Sequence, residues 1–119
     1  MKILVVDDDQ HIQRLYKEEF EDEGYEVVVA SNGKEAMELF ESQSPDIVTL
    51  DILLPDVDGI RILRQMKEKN PKIPVIMSTA YDYRDDFAVW ASEAYIVKSS
   101  DLDELKVMIK KLLGKQDVP

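Results

Sequence analysis

Five side chains able to do chemistry stand at the carboxyl ends of short apolar, β-prone runs: Asp7 and Asp8 after residues 2–6, Asp51 after 47–50, Thr79 closing 73–79, and Lys98 after 95–97. If those runs are neighbouring strands of one sheet, three acids, a hydroxyl and an ammonium meet on one rim. Two unit charges 4 Å apart at an effective dielectric near 20 interact by about 4 kcal/mol, so the three ionised aspartates would repel strongly. A divalent cation relieves that repulsion. Hard oxygen ligands with no His or Cys beside them select Mg²⁺, Mn²⁺ or Ca²⁺ over zinc, and Mg²⁺ characteristically takes one or two carboxylates together with phosphate and water oxygens. With its charge screened, one carboxylate can attack phosphorus to form an acyl phosphate, while Thr79 donates a hydrogen bond to a phosphoryl oxygen and Lys98 pairs with another. The group suits in-line phosphoryl transfer, which needs mainly positioning and charge neutralisation.

The elements that must position these groups alternate along the chain. Residues 2–6 read as a strand, and Ile12, Leu15, Tyr16 and Phe20 recur at helical spacing until Gly24 offers a stop. Residues 25–30 form a second strand, after which Ser31 and Asn32 can start a helix with Ala36, Leu39 and Phe40 on one face. Ile47, Val48 and Leu50 make a third strand of the kind buried on both faces of a parallel sheet. Past Gly59 a helix carries Ile60, Leu63 and Met66 inward and ends before Asn70-Pro71. Residues 73–77 give a fourth strand, 84–91 a weakly patterned helix and 95–97 a fifth strand. Asp101, with Glu104 as box partner, is expected to cap a final helix bearing Leu105, Met108, Ile109 and Leu112 and stopped by Gly114.

Five strand-helix units imply an α/β, flavodoxin-like, doubly wound fold: a five-stranded parallel sheet of order 2-1-3-4-5, five helices, and a crevice at the carboxyl edge between strands 1 and 3. At 119 residues the chain fits a single domain, placed at 1–114 with 115–119 as a tail or the start of a linker. It has no cysteine, hence no disulfide framework or thiol nucleophile. No apolar stretch approaches the roughly 18 residues of a membrane span, and residues 3–6 are too short for a signal peptide core, so a cytoplasmic domain is expected. Asp and Glu number 25 against 15 Lys and Arg, a net charge of −10. That charge argues against direct nucleic-acid binding and for proteins or cations as partners.

Four segments carry a family resemblance: Ile3-Leu-Val-Val-Asp-Asp8, Leu50-Asp-Ile-Leu-Leu-Pro-Asp-Val-Asp-Gly59, Met77-Ser-Thr-Ala80 and Tyr95-Ile-Val-Lys98. In their order and spacing they make the chain similar to the receiver domain of two-component response regulators over essentially its whole length. The resemblance implies that Asp51 accepts a phosphoryl group from a histidine of a sensor histidine kinase or a histidine phosphotransfer protein. It implies that Mg²⁺, or Mn²⁺ in its place, is held by Asp7, Asp8, Asp51 and the backbone carbonyl of Leu53, and that Thr79 and Lys98 hold the phosphoryl oxygens. Thr79 and Tyr95 would act as the switch, remodelling the face of helix 4, strand 5 and helix 5 for a downstream protein effector. Such a domain is a signalling acceptor rather than an enzyme, catalysing at most its own phosphorylation and dephosphorylation, as a monomer or a phosphorylation-dependent dimer. One departure stands out: the family usually follows its lysine with a cis proline, but here Ser99 and Ser100 follow Lys98. A non-proline cis bond costs roughly 2.5–4 kcal/mol, so a trans Lys98–Ser99 peptide and a rearranged following loop are expected.

Blander roles compete at several positions. Asp9 reads as a helix cap rather than a ligand, and His11, the single histidine, as an exposed helix residue. Asp56 and Asp58 should serve the turn before Gly59, the Leu53-Leu54 pair should pack, and Ser78 could supply the hydroxyl if the strand register is shifted by one. Two other functions remain open: a small haloacid-dehalogenase-like phosphatase using Asp7 as nucleophile, and a pseudo-receiver that only binds partners.

Overall fold

The computed structural model describes residues 1–79, 94–97 and 102–116. Its strands are β1 (Lys2–Val6), β2 (Glu26–Ala30), β3 (Ile47–Leu50), β4 (Val75–Thr79) and β5 (Ala94–Val97), and its helices α1 (Gln10–Asp22), α2 (Gly33–Gln43), α3 (Gly59–Lys69) and α4 (Asp103–Gln116). The strands form one parallel sheet of order β2-β1-β3-β4-β5. The helix expected near 84–91, the Lys98–Ser99 peptide and Asp101 lie outside the described residues, so the final helix is α4 here.

Alternation along the strands explains both layers. Leu4, Val6, Val48, Leu50, Val75 and Met77 point to one face, where Ala36 and Phe40 of α2 and Ile60, Leu63 and Met66 of α3 cover them. Ile3, Val5, Ile47 and Ile76 point to the other, under Tyr16 and Phe20 of α1 and Leu105, Ile109 and Leu113 of α4. Because helices sit on both sides, the strands read in sequence as continuous apolar runs.

Helix boundaries follow local chemistry. Asp9 caps α1 by accepting the amides of His11 at 2.8 Å and Ile12 at 3.4 Å, and Gly24 follows α1 with a φ of +92°, the left-handed region that an L side chain rarely adopts. Asn32 caps α2 through the Glu35 amide at 2.8 Å. One expectation needs correction at the last helix. The Leu102 carbonyl receives the Lys106 amide at 2.9 Å at the start of α4, and the helix passes through Gly114 to Gln116, where the glycine faces open space. A lone glycine costs a helix roughly 0.5–1 kcal/mol, less than burial of a residue such as Leu113 returns.

Two buried polar groups on the α1–α4 face behave differently. Tyr16 and Ser78 share a hydroxyl–hydroxyl hydrogen bond of 2.9 Å between α1 and β4. The Thr49 hydroxyl, in the middle of β3, has no hydrogen-bond partner among the described residues. A buried hydroxyl left unpaired costs about 1–3 kcal/mol. Thr49→Val is therefore expected to raise the unfolding free energy by about 1 kcal/mol, read as a higher urea midpoint with an unchanged slope.

Candidate functional site

The site lies where the sheet order reverses, between β1 and β3. Val6 and Leu50 are paired in register, and the next residue of each strand is an aspartate. Their amides continue the ladder: Asp51 N–H donates to the Val6 carbonyl and Asp7 N–H to the Ala30 carbonyl, each at 3.0 Å. Neighbouring strands lie about 4.8 Å apart, so Asp7 and Asp51 are brought side by side by the backbone alone. Asp8 follows at the rim. Carboxylate oxygens of Asp7, Asp8 and Asp51 all lie within 4.8 Å of one another; Asp7 and Asp51 are buried and Asp8 is exposed. Thus two acids form the floor of the site and the third opens it to solvent.

Local hydrogen bonds orient the cluster. An Asp7 carboxylate oxygen accepts the Asp9 amide at 2.9 Å, which turns the chain into α1, and Gln13 of α1 donates to the Asp7 carbonyl and to Ser31. An Asp51 oxygen accepts the Leu53 amide at 3.3 Å. The segment beyond Asp51 then closes on itself: Leu53 bridges Asp58, and the Gly59 amide donates to the Ile52 carbonyl at 2.7 Å. A Cβ on Gly59 would sit 2.0 Å from the Asp51 carbonyl oxygen and 2.8 Å from the Ile52 Cα. Only a glycine lets α3 start against the peptide that carries Asp51.

Several smaller expectations resolve here. Asp58 does serve its own turn, capping α3 through the Ile60 amide at 2.9 Å. Asp56 reaches further than its turn: its two oxygens accept the amides of Gly33 at 2.8 Å and Lys34 at 3.0 Å, across to the start of α2. Those bonds, the Gly33 one foremost, hold its carboxyl below the usual carboxylate range. Of the leucine pair, Leu54 packs on the α2–α3 core, but the Leu53 side chain is half exposed, because its backbone is turned to bridge Asp58. Ser78 cannot serve as the shifted hydroxyl while it is bonded to Tyr16 beneath α1. Backbones place Thr79 at the end of β4, paired with Val97, and Tyr95 opposite Met77. The side chains of Thr79 and Tyr95, and all of Lys98, lie outside the described residues. Sequence reasoning missed the steric demand at Gly59 and the reach of Asp56; the spacing of Gly59 after Asp51 was visible, but what it packs against was not.

Chemically, three carboxylates with neither imidazole nor thiolate among them make a hard, all-oxygen donor set, which fits a cation of the Mg²⁺ kind. Comparison with known proteins then decides the family. Residues 3–110 match the family described as response regulator receiver domain. The chain belongs to that family. It is 38% identical over 115 residues to sporulation initiation phosphotransferase F of Bacillus subtilis, a match spanning 94% of this chain and 93% of that protein. It is 36% identical over 121 residues to regulatory protein AtoC of Escherichia coli, spanning 98% of this chain but 26% of that longer protein. Among solved structures, the response regulator protein TrrA of Thermotoga maritima, in complex with Mg(2+)-BeF, superposes with a TM-score of 0.90 at 45% identity, covering 93% of this chain and 97% of that one. TrrA is also solved in complex with the histidine kinase ThkA, at a TM-score of 0.89 and 45% identity, covering 94% of this chain and 97% of that one. The receiver assignment makes this chain a phosphoreceiver of two-component signalling and sets aside the haloacid-dehalogenase-like reading. No helix among the described residues is long and apolar enough to cross a membrane.

Gly59→Ala tests how tightly the receiver site is built. Pushing a methyl into the Asp51–Ile52 peptide is expected to lower the unfolding free energy by about 1–3 kcal/mol, measured by urea denaturation. Unchanged stability would mean that α3 does not rest on that peptide.

Proposed function

We propose that Asp51 is the phosphoacceptor and that Asp7, Asp8, Asp51 and the Leu53 backbone carbonyl hold the Mg²⁺ on which transfer depends. The observation that carries this reading is the meeting of the three aspartates within 4.8 Å at the β1–β3 rim. Mg²⁺, when bound, supplies charge screening between the carboxylates and the incoming phosphoryl oxygens. Asp51 then attacks phosphorus in line: an O–P bond forms, the N–P bond of the donor phosphohistidine breaks, and the departing imidazole nitrogen takes up a proton. The residues of this chain contribute position more than chemistry, since β3 and the closed 51–59 segment hold the nucleophile still.

Thr79 and Lys98 take the phosphoryl oxygens in this reading, and Thr79 with Tyr95 passes the change to the face around β5 and α4. The donor is a sensor histidine kinase or histidine phosphotransfer protein, a reading supported by the solved complex of TrrA with a histidine kinase. The output is a downstream protein; a chain of net charge −10 has little to offer a nucleic acid directly. The receiver unit is placed at 1–114, with 115–119 as a tail or the start of a linker, and α4 continues past that boundary to Gln116. Because the chain spans only 26% of AtoC, an effector joined to it in a longer protein and a stand-alone relay are both compatible with this role.

Incubation with a small phosphodonor and Mg²⁺ should label wild-type protein on Asp51 alone, with Asp51→Asn unlabelled yet folded. Label mapped to Asp7, or full labelling of the variant, would overturn the assignment. Saturating Mg²⁺ should also raise the melting temperature, since a ligand at about 100 times its Kd adds about 2.7 kcal/mol to the folded state. Chelation with EDTA should reverse the shift, and no shift at saturating metal would rule out a preformed site.

A further inference from the structure

The 51–59 segment is fastened twice, and only one fastening belongs to its own turn. At its base the Gly59 amide bonds the Ile52 carbonyl and Leu53 bridges Asp58. At its tip Asp56 reaches a different helix, accepting the Gly33 and Lys34 amides that open α2. Such first-turn amides have no partner inside their own helix, and the positive end of the helix favours an anion.

α2 also has a cap of its own. Asn32 accepts the Glu35 amide alone, so the Gly33 and Lys34 amides are left to Asp56. Asp56 is exposed, so it contributes no apolar packing. Beside it, Val57 is partly buried against the α2–α3 core and fills the notch left by Gly33, where a Cβ would come within 2.4 Å of a Val57 methyl. A charged clamp and a methyl in a notch thus hold the same two residues to α2 from either side. These contacts complete the end of α2 and at the same time tie the loop to it.

We propose that Asp56 is a positioning residue for the phosphoacceptor segment: by gripping the start of α2 it holds the Leu53 backbone beside Asp51. The proposal rests on the reading of Asp51 as acceptor and of the Leu53 carbonyl as a metal ligand. Without the clamp the tip of the segment would be joined to the rest of the described residues through its base and the packing of Leu54 and Val57 on the α2–α3 core. The Leu53 amide would leave Asp51 more often, and its carbonyl would meet the metal less often.

Amide hydrogen exchange on the full chain, with Mg²⁺ titration by calorimetry, tests this. In Asp56→Ala the Leu53 and Gly59 amides should exchange about tenfold faster, with Asp56→Asn, which keeps one acceptor oxygen, falling between. Mg²⁺ affinity should drop by about tenfold, the lower end of the range for groups that orient ligands from outside. Asn32→Ala is the control: it should free the Glu35 amide and leave Leu53 and Gly59 as protected as in wild type. Equal loosening of the loop by Asn32→Ala would reduce Asp56 to a second cap and overturn the proposal, as would unchanged Leu53 and Gly59 exchange in Asp56→Ala. Absence of label on Asp51 in wild-type protein would sink the acceptor reading instead, and the exchange of the Leu53 and Gly59 amides would still decide whether the clamp exists.

Discussion

Mutual repulsion of three carboxylates is the constraint around which this molecule is built. Asp7, Asp8 and Asp51 are held within 4.8 Å of one another, a distance at which each pair opposes folding. The sheet bears that cost because the two buried acids extend ladders already closed below them: Val6 with Leu50 in register, then Asp51 N–H to Val6 and Asp7 N–H to Ala30. Their backbones cannot retreat without breaking those bonds and opening cores on both faces. In the proposed role, that fixed arrangement of acids is what a cation of the Mg²⁺ kind would meet.

Much of this was legible in the residues themselves. Strands covered on both faces have to be apolar throughout, so β1 and β3 announce themselves, and the acids that end them follow without any knowledge of side-chain packing. Caps that act within a few residues, Asp9 and Asn32 and Asp58, were equally open to reading. What stayed hidden depends on contacts between distant segments. Asp56 sits 23 residues from the amide it binds, and nothing in its own neighbourhood distinguishes it from a turn aspartate. The demand at Gly59 comes from the Asp51 carbonyl, and that at Gly33 from Val57. Gly114 looked like a stop because a glycine ends many helices, yet packing of Leu113 and Ile109 carries α4 past it.

The two helix layers treat the sheet differently. On the α2–α3 side, contacts converge on the segment after Asp51: α3 begins on its peptide and α2 receives Asp56 and Val57. On the other side, α1 and α4 are tied to each other by charge, with Lys106 of α4 bonded to Glu19 at 2.6 Å and Lys110 reaching Glu23 at 3.3 Å. The hydrogen bond to Glu19 raises the Lys106 pKa above its ordinary value, so on the alkaline side this tie is lost as pH rises through that raised value. One layer thus steadies the acceptor, while the other is stapled across its own surface.

That asymmetry bears on how a charge added at Asp51 could be felt elsewhere. A loosely held acceptor would absorb a new phosphoryl group by shifting its own loop, and little would reach the rest of the fold. Here the loop is fastened at its base and at its tip, and β3 is packed on both faces. In the proposed role, rearrangement runs toward the sheet edge at β4 and β5, where the Thr79 and Tyr95 backbones stand in register with Val97 and Met77. Even there one point is restrained: Ser78, the residue before Thr79, is bonded to Tyr16 under α1. A rigid acceptor beside a strand anchored one residue short of its end is the arrangement in which a local electrostatic event moves a neighbouring element rather than itself.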